Sequence, residues 1–293
     1  MRLALWAPII FVLLWSTGFV GAKFGLPYAE PFTFLWVRML IVVGLLSALA
    51  GVLRSAWPRG WALNLHIGVS GLLLHAGYLG GVFFAISRGM PAGLAALIVG
   101  LQPILTALLA QPLLRERVSA VQWAGLLLGF GGVGLVVGEK ALDARVLHIE
   151  PSAFVAIVLA LLSTTLGTLY QKRFAVQMPL IGGTVVQYVA AAVGLFVLAL
   201  LFHETMQIQW TPQFILAMAW LVLVLSVGAI LLLMYLIRHN SASRVASLFY
   251  LVPPATALEA YFLFGERLGV LALLGMGLAA VGVALVVRRR DGL

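Results

Sequence analysis

Residues 89–137 read GMPAGLAALIVGLQPILTALLAQPLLRERVSAVQWAGLLLGFGGVGLVV. Residues 239–287 read HNSASRVASLFYLVPPATALEAYFLFGERLGVLALLGMGLAAVGVALVV, and the second stretch lies on the first at a shift of 150 residues without a gap. Of the 49 aligned positions, 18 are identical. Apolar composition alone would return matches of Leu, Val and Ala. It would not place Pro103 on Pro253, Glu116-Arg117 on Glu266-Arg267, Gly125 on Gly275 and Gly132-Val133 on Gly282-Val283 in one register. Two apolar helices joined by a short Glu-Arg turn have been duplicated, and a repeat of this kind governs the reading of everything around it.

The rest of the chain is equally apolar. It is 63% hydrophobic and 9% charged, against about 25% charged in ordinary soluble domains. So few charges could not cover the surface of a water-soluble domain. A membrane span needs about 20 apolar residues, and ten runs of roughly that length can be marked: Leu3–Ala22, Phe32–Leu53, Leu63–Ser87, Ala92–Leu113, Val121–Gly138, Ser152–Tyr170, Ile181–Phe202, Phe214–Ile237, Val245–Phe264 and Leu268–Val287. The expectation is an all-α integral membrane protein of ten helices. Its halves would be residues 1–138 and 152–293, joined by the charged linker 139–151. The first run is longer than a signal-peptide core and lacks a clean small-x-small cleavage site. It also has a counterpart in the second half, so it reads as a retained span.

Each half holds an odd number of spans, so the two copies must insert with opposite orientation. Inverted repeats of this kind place a substrate site near the membrane midplane, between the halves. The net charge of +9 does not point to nucleic acid. With the N-terminus cytoplasmic, inside segments carry 12 Lys and Arg and outside segments carry 5, as the positive-inside rule requires. Both termini are thus expected in the cytoplasm of a plasma membrane. There is no cysteine, no Walker A motif, no GxSxG, no HExxH and no metal-ligand spacing, so neither an enzyme nor a cofactor is implied.

Polar residues inside the spans nominate a site. Helix one carries Trp15-Ser16-Thr17-Gly18; its hydroxyls suit helix packing, and the same place suits a cavity wall. Helix two carries Arg38, whose insertion costs at least about 2.5–3.5 kcal/mol without a partner. Glu259 of helix nine is the acidic partner expected for it, as a structural pair or as a gate. Helix three carries His75 and Tyr78, three residues apart and so expected on one face. Gly77 and Gly81 adjoin them as a pair that could admit a neighbouring backbone. Proline frees the carbonyl four residues earlier, so Pro103 in helix four and Pro253-Pro254 in helix nine mark broken helices at corresponding positions. That is a sequence pointer to a transport site. Gln102 and Tyr250 sit at those breaks. Gln187 and Tyr188 fall near the middle of helix seven. Helices five and ten are glycine-rich, which suits close-packed scaffold or a subunit contact.

The ten spans, the duplication, Trp15-Ser16-Thr17-Gly18 and the paired Leu-x-Pro…Glu-Arg segments resemble the EamA family of the drug/metabolite transporter superfamily, over essentially the whole chain. Within it the chain looks most like bacterial inner-membrane exporters of aromatic and other neutral amino acids. The resemblance implies alternating access through a central cavity, a small-molecule cargo and no cofactor. Trp15, Ser16, His75, Tyr78, Gln102 and Tyr250 would contact that cargo; Pro103, Pro253, Pro254, Arg38 and Glu259 would hinge or gate it. Purines, sugars or drugs as cargo, and a channel or scaffold without alternating access, stay open at this point. So does proton coupling, for which His75 is the candidate carrier because imidazole titrates near neutrality.

Overall fold

A computed structural model describes residues 2–90, 95, 98–115, 118–141, 150–252, 254–255, 258–259 and 269–287. Among these residues the chain is helical throughout, apart from turns and one isolated bridge between Ala29 and Ile208. In lipid, every backbone N–H and C=O must find an internal partner, and a helix does this within its own segment. In chain order the helices are α1 (Arg2–Gly25), α2 (Pro31–Val52), α3 (Trp61–Ser87), α4 (Gln102–Leu114), α5 (Ala120–Ala141), α6 (Pro151–Phe174), α7 (Leu180–Leu201), α8 (Pro212–His239), α9 (Ala242–Ser247, continued by a 3₁₀ turn over Leu248–Leu251) and α10 (Val270–Val287). Of the described helices, α2, α3, α6, α7 and α8 are each long and apolar enough to cross a membrane. Pro253, the Glu116-Arg117 and Glu266-Arg267 turns and most of the linker lie outside the described residues.

Helix starts follow local chemistry. Proline opens α2, α6 and α8, where its fixed φ fits and its missing N–H is not needed. Ser119 and Gln122 form a reciprocal capping box at the start of α5. At the other ends, Lys172 donates to the carbonyls of Ile237 (3.0 Å) in the last turn of α8 and of Asn240 (2.6 Å) just beyond it, and Arg173 donates to that of Leu113 in α4. Cations at helix C-termini complement the helix dipole.

The duplication carries through to three dimensions. α2 and α7 are both 22 residues long, and each ends on a left-handed residue, Arg54 (φ 47°) and His203 (φ 53°), which turns the chain out of the helix. α3 and α8 each contain a π-helical segment, over Leu72–Gly77 and Leu221–Ala229, and these overlap at the same shift of 150 residues. Contacts are symmetric under exchange of the halves. α1 packs on α8 as α6 packs on α3, while α2 meets α7, α4 meets α9 and α5 meets α10.

The α5–α10 contact depends on glycine. A Cβ at Gly125 would sit 2.6 Å from the carbonyl oxygen of Gly282, and one at Gly282 would sit 2.5 Å from that of Gly125. Helices five and ten are therefore packed on each other, backbone against backbone. Gly81 does likewise for α3 and α6, its Cβ position lying 2.6 Å from the Ala156 oxygen.

Candidate functional site

A small cavity opens between α1, α2, α3 and α8. Trp15, Gly18 and Ala22 line it from α1, Arg38 from α2, Tyr78, Leu79, Val82 and Phe83 from α3, and Leu225 and Ile230 from α8. The wall is largely apolar and aromatic. The indole of Trp15 lies parallel to the ring of Tyr78, centroids 6.4 Å apart, while Phe249 meets the indole edge-on at 5.4 Å and Phe11 braces both. Trp15 and Tyr78, nominated from two separate helices, are thus brought together.

Arg38 is 2% exposed, and its Nε donates to Ser226 Oγ at 2.9 Å. The Ser226 backbone oxygen in turn accepts from Tyr188 Oη at 3.0 Å. Ser226 lies in the π-helical segment of α8, whose register departs from the regular helical ladder; such segments are frequent at functional sites. The expected Arg38–Glu259 pair is not formed. Glu259 accepts from the Ser16 hydroxyl, on α1, and the only ion pair among the described residues is Arg88–Glu150. A neutral hydroxyl on α8 has taken the place assigned to the acid.

Ser16 has a second acceptor within reach. Its Oγ also lies 2.9 Å from the Leu13 carbonyl oxygen. A serine hydroxyl has one proton to give. That proton is shared between the Leu13 carbonyl and the Glu259 carboxylate, whose other oxygen is buried with no hydrogen-bond partner.

His75 does not share the face of Tyr78. The π-helical segment that holds it widens the turn, so three residues no longer span the α-helical angle. His75 stacks on Tyr188 at 4.5 Å and 11°, fully buried and absent from the cavity wall, with neither ring nitrogen hydrogen-bonded. Gln102 is also elsewhere: its Nε2 lies 3.4 Å from Thr168 Oγ1 on α6. Tyr250 packs its ring against Gly129 of α5, with its hydroxyl buried and unpartnered. Neither touches the cavity. Irregular backbone lies near two of the prolines. Gly100 and Leu101 form a turn before α4, with Pro103 buried in its first turn, and a 3₁₀ turn precedes Pro254 in helix nine.

A second polar cluster went unanticipated. Gln187 Nε2 donates to Ser70 Oγ (2.7 Å) and Gln171 Oε1 (2.8 Å), joining α3, α6 and α7. Gln187 and Tyr188, polar residues near the middle of their span, are both fully buried. Ser70, Gln171 and Ser226 carried the same signal, a polar side chain within an apolar run. No titratable cluster of metal-ligating type occurs among the described residues.

The whole chain has recognisable relatives. The family model for the EamA-like transporter family matches it twice, over residues 1–138 and 151–288. An Escherichia coli (strain K12) protein named "Probable amino-acid metabolite efflux pump" is 29% identical over 94% of this chain and 91% of its own. The Bacillus subtilis (strain 168) "Uncharacterized transporter YvbV" is 27% identical over 94% and 88%. The E. coli "Uncharacterized inner membrane transporter YedA" is 26% identical over 94% and 87%. A protein of known crystal structure shares the fold with a TM-score of 0.78 at 20% identity, covering 97% of this chain and 96% of that one. The chain is a multi-pass membrane protein of inverted-repeat helical fold and belongs to the EamA-like transporter family.

Proposed function

We propose that this protein exports aromatic and other neutral amino acids across a bacterial inner membrane by alternating access. The observation that carries the reading is the parallel Trp15–Tyr78 pair on the wall of a cavity between the two halves. The aromatic wall favours a flat apolar side chain. The similarity to a protein named as an amino-acid metabolite efflux pump supports the cargo class. The similarity to a named inner-membrane transporter supports the location.

In this reading ten spans form two inverted five-helix repeats, residues 1–138 and 152–293, with both termini cytoplasmic. The α5–α10 pair is the fixed scaffold. α3, α4, α8 and α9 move, bending at the π-helical segments and at Pro103, Pro253 and Pro254. Where transport is driven by protons, the proton rides on Glu259, which touches α1 one residue from Trp15, and not on His75.

The test is excretion from intact cells. Cells loaded with phenylalanine through a phenylalanine dipeptide should release the free amino acid several-fold faster when they express the protein. Equal release with and without it would overturn the cargo assignment.

A further inference from the structure

We propose that the guanidinium of Arg38 is the docking point for a carboxylate on the cargo. The cavity would then select molecules that join a planar apolar group to a carboxylate. The proposal rests on the cavity being the transport site and adds the chemical group its one cation requires.

Arg38 is a buried cation facing no carboxylate among the described residues. Arg38 sits within an apolar span, 2% exposed, on the wall of a cavity otherwise built from aromatic and aliphatic side chains. A guanidinium has five N–H donors, and one, at Nε, is used on the neutral Ser226 hydroxyl. Among the described residues no carboxylate comes within 4.0 Å of it. Glu259, the one described carboxylate within the spans, is engaged by Ser16. A cation withdrawn from water is costly unless an opposite charge meets it. An anion entering the cavity supplies that charge.

The surroundings fix the guanidinium in place. Ser226 is held from two sides, its hydroxyl accepting from Arg38 and its backbone oxygen accepting from Tyr188. Tyr188 is clamped in turn by the stacked ring of His75. Ser226, Tyr188 and His75 are thus positioning residues, and the residue they position is an arginine fork of the kind that binds carboxylates through two parallel bonds. The Trp15–Tyr78 pair lines the same space, so one molecule can engage ring and charge together.

The experiment compares matched acids and amides on wild-type protein in nanodiscs: phenylalanine with phenylalaninamide, and indole-3-acetate with indole-3-acetamide. Each acid should bind at least about tenfold tighter than its amide, the scale of a charge-assisted hydrogen bond. Arg38→Gln should bind both members of a pair alike. Ser226→Ala, which keeps the charge but releases the fork, should reduce the preference without abolishing it, so the proposal stays testable if Arg38→Gln folds poorly. Acid preference in the indole pair with no binding of either amino-acid ligand would support the anchor while sinking the amino-acid reading. Amides bound as tightly as acids, no acid bound at all, or an undiminished preference in folded Arg38→Gln would overturn the anchor.

Discussion

The indole of Trp15 and the ring of Tyr78 stand parallel across the cavity wall, 8° between their planes and 6.4 Å between centroids. They come from α1 and α3, so their pairing is created by the fold and not by chain proximity. Removing one ring should cost aromatic cargo about 0.5–1.5 kcal/mol of stacking, a rise in KM of roughly 2- to 10-fold. Trp15→Ala and Tyr78→Ala should therefore raise KM for phenylalanine more than for threonine, and Trp15→Phe should recover most of the difference. Kinetics of both cargoes in each variant check this; equal losses for the two would argue against ring recognition.

Helix packing gives a sharper pair of substitutions. At Gly125 and Gly282 an added methyl meets opposing backbone at 2.5–2.6 Å, which can be relieved only by moving a helix. Gly125→Ala or Gly282→Ala should destabilise by about 1–3 kcal/mol and lower the thermal midpoint in detergent. Gly131 and Gly134 lie on the same helix with nothing within 4 Å of the added atom. Alanine there should be neutral or slightly stabilising.

The contrast shows what the sequence could reveal. Glycine and proline leave marks that survive duplication, so close packing of helices five and ten was legible from residue identity, but not that each is the other's partner. Arg38 was legible as a residue needing company, but its company was misassigned. Charge matching favoured Glu259, whereas the fold presents Ser226 from an irregular turn of α8. That turn, and the matching one around His75, lie in runs such as Leu72-Leu73-Leu74-His75 that look like any apolar helix. The wrong face expected for His75 follows from the same blind spot.

Near the α1–α2 connection the two halves clasp each other. Glu204 accepts from the backbone N–H groups of Phe32 (2.9 Å) and Thr33 (2.6 Å) at the start of α2, and Glu30 accepts from the Thr205 N–H (2.6 Å) and hydroxyl (2.8 Å). A carboxylate at a helix N-terminus contributes about 0.3–2 kcal/mol. Glu204→Gln keeps a similar shape but loses the charge and one acceptor oxygen. It should lower stability by about 1 kcal/mol, and more at low than at high salt. Thermal unfolding across a salt series would show this, and a salt-independent loss would point to packing instead.

Glu259 and His75 make opposite predictions for proton coupling. His75 is sealed against Tyr188, so His75→Gln should leave the response of transport to a pH gradient unchanged. Glu259→Gln keeps a partner for Ser16 but cannot exchange a proton. It should transport down a concentration gradient and lose any stimulation by the pH gradient. The two variants, assayed side by side with and without an imposed gradient, decide it; a response lost only in His75→Gln would reverse the assignment.

The central claim is that a carrier moves aromatic amino acids through the cavity of Trp15, Tyr78 and Arg38. Its most direct test is counterflow: entry of labelled phenylalanine into proteoliposomes preloaded with unlabelled phenylalanine. The account predicts transient accumulation that saturates with external phenylalanine and falls sharply in Trp15→Ala. Flux that never saturates and ignores the preload would mark a pore, and no flux above empty liposomes would remove aromatic amino acids as the cargo.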